Sequence, residues 1–289
     1  MKHAILMTVY KDVNLVNRLI KSYPESFDIY IHIDKKSYIK PSDIHRDNGK
    51  VQTIKKYKIN WGGYNHVLAF FELLKEAYNK GKYDYFHLVT GQDMFVGSQN
   101  QLDAYILSKV KDSCFVENNT IPCKKYSFWD YGYGIIDYFI PSDLIDFNQK
   151  TKKGIYLYRF FKLVERRLHL TRKRPSETYY MGSVYCSLSH KAVNYILNDP
   201  MSFKILRRLK HTLCGEGIFF PTVAMYSGCP VTGKNLTYVD WSDPIEHPKI
   251  LDETDYGKWG EEKFFIRKID KQKSWKLIEL IQRNNNLQE

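Results

Sequence analysis

The opening stretch constrains the fold more than any other part of the chain. AILMTVY is a short apolar run of strand formers, and DVNLVNRLIKSY places apolar residues at positions 13, 15, 16, 19 and 20, the spacing of one helix face. FDIYIHID then returns to strand character. Strand, helix and strand in such quick succession make a βαβ unit, whose crossover joins parallel strands. The pattern continues with a helix over 65–79, a strand at YDYFHLV, a helix at NQLDAYILSK and a short strand at SCFVE. Further on, GSVYCSLSHKAVNYIL reads as a strand running into a helix, and CGEGIFFPTVAMYSG as a helix starting near Glu216. The chain closes with strands at LTYVDW and FFIRKID and a helix over 271–283. The fold class is therefore α/β, with a mainly parallel mixed sheet and helices on both faces. With 289 residues and 43% apolar content, the chain can bury the core of one large α/β domain.

In open α/β sheets ligands sit beyond the carboxyl ends of the strands. Three of these strands end in polar groups: Thr8, Asp34 and the cluster Thr90-Gly91-Gln92-Asp93. No GxGxxG or GxxxxGK[ST] follows the first strand, which excludes the usual dinucleotide and P-loop phosphate cradles. The formal charge of +12 predicts attraction to polyanions, and nucleic acid, anionic membrane and phosphorylated metabolites all qualify. The five cysteines form no CxxC pair, which fits reduced thiols in a cytosolic protein and offers no zinc site. The apolar run at the N-terminus is too short for a signal peptide or a membrane span, so a soluble or peripherally attached protein is expected.

Residues 148–178 differ in character. Nine Lys or Arg fall between 152 and 174 against one acid, Glu165. Tyr156, Leu157, Phe160, Phe161, Val164 and Leu168 recur at helical spacing, which predicts a basic amphipathic helix. That helix is either a solvated connection or a contact with anionic membrane or a lipid-diphosphate acceptor.

Seven stretches in order, IHIDKKS, NWGGYNHVLAFFELLKEAY, YDYFHLVTGQDM, MGSVYCSLSHKAVNYIL, GEGIFFPTV, YVDW and FFIRKID, resemble the core-2/I-branching β-1,6-N-acetylglucosaminyltransferases, glycosyltransferase family 14, which also holds the protein O-xylosyltransferases. Met94 after Asp93, Tyr185 in place of a common Trp, and Gly215 in place of an Asp depart from the family pattern. The resemblance implies a GT-A-like domain whose nucleotide half is residues 1–110 and whose acceptor half is 111–289. It also implies an inverting, metal-independent transfer of a sugar from a UDP-sugar, N-acetylglucosamine in β linkage being the expected case, to a glycan hydroxyl.

Sugar transfer with inversion needs a carboxylate to take the acceptor proton and a cation beside the departing diphosphate. No Asp-x-Asp metal pair occurs anywhere in the chain. By the resemblance, Glu216 is the base, Lys268 binds the diphosphate, and Lys234 and Arg267 are further cations. Val9, Lys11, Asp34, Trp61, Gly62, Thr90, Gly91 and Asp93 fall on the nucleotide and donor side, with Asp93 in a supporting position. Glu117, Ser183 and Tyr185 fall on the acceptor side. No metal or other cofactor is expected. The partners are a UDP-sugar and a glycan or lipid-linked acceptor, with the basic segment against anionic membrane at the cytoplasmic face. Transfer of xylose or another sugar is the runner-up within the same family, and a nucleic-acid binder and an inactive glycan-binding relative are the rival readings from other classes.

Overall fold

The computed structural model describes residues 1–148, 151–242 and 248–286. Its main sheet has the strand order β3-β2-β1-β4-β8, formed by β1 (His3–Val9), β2 (Asp28–Ile33), β3 (Val51–Ile54), β4 (Tyr85–Thr90) and β8 (Ser187–Ser189). β1 pairs in parallel with both β2 and β4, and β2 with β3, while β8 closes the edge antiparallel to β4. Consecutive strands thus leave β1 in opposite directions, which opens a crevice at their carboxyl ends.

The two faces of the sheet follow from the period-two alternation of β1. Ala4 and Leu6 pack with Val67, Phe70 and Leu74 of α2 (Tyr64–Lys80). Ile5, Met7 and Val9 pack on the other side with Val16 and Ile20 of α1 (Val13–Ile20) and with Leu102 and Ile106 of α3 (Gln99–Leu107). Both faces of the sheet are therefore covered by helices. Every residue of β1 is buried, as a central parallel strand requires.

A smaller sheet of order β5-β10-β9 joins β5 (Met94–Phe95), β9 (Thr237–Val239) and β10 (Phe265–Arg267). It brings residues from near the end of the chain against the turn that follows β4. The short strands β6 (Asn119–Thr120) and β7 (Tyr180–Met181) pair with each other. The remaining helices are α4 (Tyr133–Ile136), α5 (Lys152–Arg167), α6 (His190–Asn198), α7 (Pro200–Arg208), α8 (Glu216–Tyr226) and α9 (Trp275–Asn286).

The expected strand at SCFVE is reduced to two single bridges. Cys114 pairs with Val231 and Phe115 with Ser187, so adjacent residues turn to different partners and no ladder extends. Among the described residues no helix is long and apolar enough to cross a membrane.

Candidate functional site

A cleft of about 520 Å³ opens at the carboxyl ends of β1, β2 and β4. Thr8, Val9 and Lys11 line it from β1 and the turn beyond, Asp34 from β2, and Thr90 and Gly91 from β4. Trp61 and Gly62 form another wall, and Tyr185, Glu216, Arg267 and Lys268 reach it from later in the chain. Residues 200 positions apart in sequence are thus gathered around one cavity.

The Thr90-Gly91-Gln92-Asp93 cluster is a closed turn. Asp93 is fully buried and its Oδ2 accepts from the Thr90 N–H at 2.5 Å. Arg267 Nη1 donates to Asp93 Oδ1 at 2.7 Å and to Thr90 Oγ1 at 2.6 Å. The guanidinium also lies 4.5 Å from the centre of the Tyr185 ring. Burial opposes the Arg267 charge, but the neighbouring Tyr185 and Asp93 outweigh it and raise its pKa. Asp93 therefore stands behind the cleft wall rather than in it, with its charge matched inside the protein. Ile269 N–H donates to the Gln92 carbonyl at 2.9 Å, which registers the Arg267-Lys268 segment against this turn. A Cβ on Gly91 would lie 3.0 Å from side-chain atoms of both Val9 and Val16, so the turn packs tightly against the core there and any larger residue would have to displace them slightly.

Glu216 begins α8, and its surroundings follow from three local features. Gly62 has φ +63°, a left-handed conformation natural to glycine. Its carbonyl accepts from the Cys214 N–H at 2.7 Å, which ties the Trp61-Gly62 turn to the residues just before Glu216. Pro221 lies inside α8 and lacks the N–H that would bond to the Gly217 carbonyl. That carbonyl instead accepts from Gly182 N–H at 2.8 Å, anchoring the segment that carries Tyr185 beside the helix start.

The Glu216 carboxylate is largely buried. Oε1 lies 3.4 Å from Nδ1 of His66, whose Nε2 is 3.2 Å from Thr8 Oγ1. Oε2 is buried and has no hydrogen-bond partner in the structure. A carboxylate oxygen left without a partner inside a cleft is costly unless something else supplies the proton donor. His66 sits on the first turn of α2, whose Asn65 N–H is capped at 2.8 Å by the carboxylate of Asp143. Tyr185 stays a neutral phenol: burial raises its pKa, as do Asp93 and Glu216, against the pull of Arg267.

The cleft carries charges of both signs along its lining. Lys11, Lys36, Arg267 and Lys268 line it together with the carboxylates of Asp34, Asp146 and Glu216. Asp34 is held in place because its Oδ1 accepts from the backbone N–H groups of Lys36 and Ile59 at 2.9 and 3.2 Å. Among the described residues no group of three or more His, Cys, Asp or Glu is placed to hold a metal ion.

Four of the residues named from sequence lie outside the cleft lining: Asp93, behind the wall, and Lys234, Glu117 and Ser183. Lys234 is 77% exposed and reaches Glu262 at 3.8 Å. Glu117 Oε2 accepts from the Ser183 N–H at 3.1 Å, and Ser183 Oγ accepts from the Tyr185 N–H at 3.1 Å. Glu117 and Ser183 thus brace the segment that delivers Tyr185, while Tyr185 itself faces the cavity.

A family model described as "Core-2/I-Branching enzyme" matches residues 4–264. The chain belongs to the core-2/I-branching enzyme family. It is accordingly a glycosyltransferase, with a nucleotide-sugar donor and a glycan acceptor. Arg267 and Lys268 lie just past the end of the matched residues. Two solved structures are similar only at a distance. The S. aureus TarS 1-349 crystal structure has 17% identity and a TM-score of 0.30, over 41% of this chain and 36% of that one. The apo form of mouse xyloside xylosyltransferase 1 has 9% identity and a TM-score of 0.39, over 83% of this chain and 89% of that one. No curated protein matches the sequence.

Among the residues of the family member's cleft that were not singled out from sequence are His66 and Lys36. Both lie in quoted motifs, NWGGYNH and IHIDKKS, but their placement depends on contacts between distant segments. Lys36, for example, donates to Asn60 Oδ1 at 2.8 Å across the cleft rim.

Proposed function

We propose that this family member is an inverting, metal-independent transferase that moves N-acetylglucosamine from its UDP donor, in β linkage, to a hydroxyl of a glycan or lipid-linked glycan. In this reading it serves bacterial surface polysaccharide synthesis at the cytoplasmic face of the membrane. Residues 1–110 hold the nucleotide and the later part of the chain receives the acceptor. The observation that carries the reading is one cavity shared by the unpartnered Oε2 of Glu216 and the cation Lys268.

The mechanism is a single in-line displacement. Glu216 Oε2 accepts the proton of the acceptor hydroxyl as that oxygen bonds to the anomeric carbon. The bond from that carbon to the diphosphate oxygen breaks on the opposite face, and the electron pair leaves with UDP. Lys268 and Lys11 stabilise the growing negative charge, and they act in a partly enclosed cavity where electrostatic interactions are stronger than in bulk water. His66 steadies the carboxylate: with Thr8 donating to Nε2, the Nδ1–H faces Glu216 Oε1 and leaves Oε2 for the acceptor. Arg267 works at one remove, neutralising Asp93 so that no uncompensated carboxylate stands behind the diphosphate. Asp34 at the end of β2 takes the uridine side.

A thermal-shift screen of UDP, UDP-N-acetylglucosamine and UDP-xylose, each with and without EDTA, tests this. Stabilisation by the UDP compounds that survives the chelator supports the reading, with the larger shift naming the donor sugar. Stabilisation that appears only with added divalent metal refutes metal independence, and no shift with any UDP compound refutes the donor class.

A further inference from the structure

Helix α5 turns two different faces to its surroundings. Inward, Gly154, Tyr158 and Glu165 are buried. Tyr158 donates to the Gly134 carbonyl at 2.5 Å, and both carboxylate oxygens of Glu165 accept from the Phe139 N–H, at 3.1 and 2.9 Å. The single acid of α5 is therefore consumed by the interior. Outward, Tyr156, Phe160 and Leu163 are 67%, 59% and 56% exposed, and Leu168 and Leu170, just beyond the helix, are 60% and 55% exposed. Positions 156, 160, 163 and 167 follow the i, i+4, i+7, i+11 spacing of one stripe. Around them Lys152, Lys153, Arg159, Arg166 and Arg167 are all exposed. Arg166 also lies 3.8 Å from the Asp130 carboxylate, but cations otherwise predominate around the stripe. Large apolar side chains among cations match the composition of a helix lying in the interface of an anionic bilayer, where apolar groups enter the acyl boundary and Lys and Arg meet lipid phosphates.

The position of the helix gives this face a purpose. Asp146 and Asn148, just ahead of α5, line the cleft. The inward side of α5 shares its apolar cluster with Trp61, a cleft wall, and with Cys214, which precedes Glu216. We propose that the outward face of α5 docks on an anionic lipid surface and thereby holds the mouth of the cleft at the bilayer, where a lipid-anchored acceptor is presented. The docking rests on the helix itself; its consequence for the acceptor rests on the transfer reading above.

Co-sedimentation with vesicles of phosphatidylcholine, alone or mixed with phosphatidylglycerol, tests the docking. The full-length protein is expected to pellet with the anionic vesicles and to stay soluble with the neutral ones. Lys152→Glu/Arg159→Glu/Arg167→Glu is expected to lower the partition coefficient on the order of a hundredfold, since each cation near such a surface contributes about fivefold. Tyr156→Ser/Phe160→Ser/Leu163→Ser is expected to bind weakly and only at low salt, because the part of the attraction that salt does not screen is gone. Both variants change exposed residues, and unaltered melting curves and UDP-induced shifts confirm that they fold. Equal binding to neutral vesicles, no binding to either kind, or wild-type affinity in both triple variants overturns the proposal. So does an apolar variant that binds as the parent does while single-stranded RNA displaces both, which marks a general polyanion surface. Absence of any UDP-induced shift in the parent protein, by contrast, undoes the transfer reading and leaves the vesicle result standing.

Discussion

Asp93 stands behind the wall of the cleft and Glu216 lines it, and their surroundings treat them oppositely. Asp93, after β4, is wholly buried and accepts from a backbone N–H and from the Arg267 guanidinium. Glu216, at the start of α8, keeps one oxygen near His66 and leaves the other without a partner. The first carboxylate is satisfied by the fold and has nothing left to offer a substrate. The second is held in position but incompletely used, the condition a general base needs. Full satisfaction marks architecture, and a deliberate gap in an otherwise satisfied interior marks chemistry.

The sharpest way to break this comparison is to remove each carboxylate in turn and measure stability. Asp93→Ala leaves Arg267 buried without its ion partner, and urea denaturation should show a loss of about 3–5 kcal/mol. Glu216→Ala should change stability by less than about 1 kcal/mol or increase it, because an unsatisfied buried oxygen is removed. Similar large losses in both variants would erase the distinction.

Lys268→Ala tests the electrostatic side of the cleft. Steady-state transfer should fall roughly 10²–10³-fold, the scale seen when one group stabilising transition-state charge is lost. Lys234→Ala, which alters an exposed side chain away from the cavity, should leave the rate within about twofold.

The sheet beneath the cleft makes a further prediction about pH. His32 on β2 is fully buried, and burial pushes its pKa down to about 4, against the opposing pull of Asp34. In the unfolded chain the imidazole titrates near its ordinary value of 6.5, so as the pH drops the unfolded state takes up the proton first. The stability from keeping His32 neutral is complete above about pH 6.5 and is lost as the pH falls toward 4, on the order of 3 kcal/mol. His3 and His87 are lowered in the same direction, again chiefly by burial. Denaturation across this range should show the decline, and His32→Gln should flatten part of it. A profile unchanged by the substitution would place the acid sensitivity elsewhere.

The smallest effect is expected at His66. His66→Gln retains a hydrogen-bonding group near Glu216, and kcat should drop about tenfold with little change in donor KM. A change in KM alone would make His66 a binding residue instead.

Much of this could be read along the chain before any coordinates. The βαβ opening, the buried β1 and the polar strand ends at Thr8, Asp34 and Thr90 follow from local periodicity and from where that periodicity stops. The start of α8 at Glu216 was visible for the same reason. What sequence did not reveal depends on pairings between remote segments. Lys234 looked like a second cation near the diphosphate, yet the turn ahead of β9 sends it to Glu262 and solvent. Glu117 and Ser183 looked like acceptor ligands, and they are bonded to the segment that carries Tyr185. The basic segment read as an amphipathic helix, but which apolar residues face inward was decided by the packing of Tyr158 and Phe161, leaving Tyr156 and Phe160 outside. Amphipathic spacing locates a face; only the neighbours determine what that face meets.

The division of labour between the two carboxylates is tested most directly with Glu216→Gln, an isosteric change that removes the proton-accepting charge. UDP affinity by calorimetry and transfer rate with a glycan acceptor should be measured on the same preparation. The account predicts UDP affinity within about twofold of the parent and transfer reduced on the order of 10²–10⁴-fold. Transfer near the parental rate with intact UDP binding would contradict it and move the base to another residue.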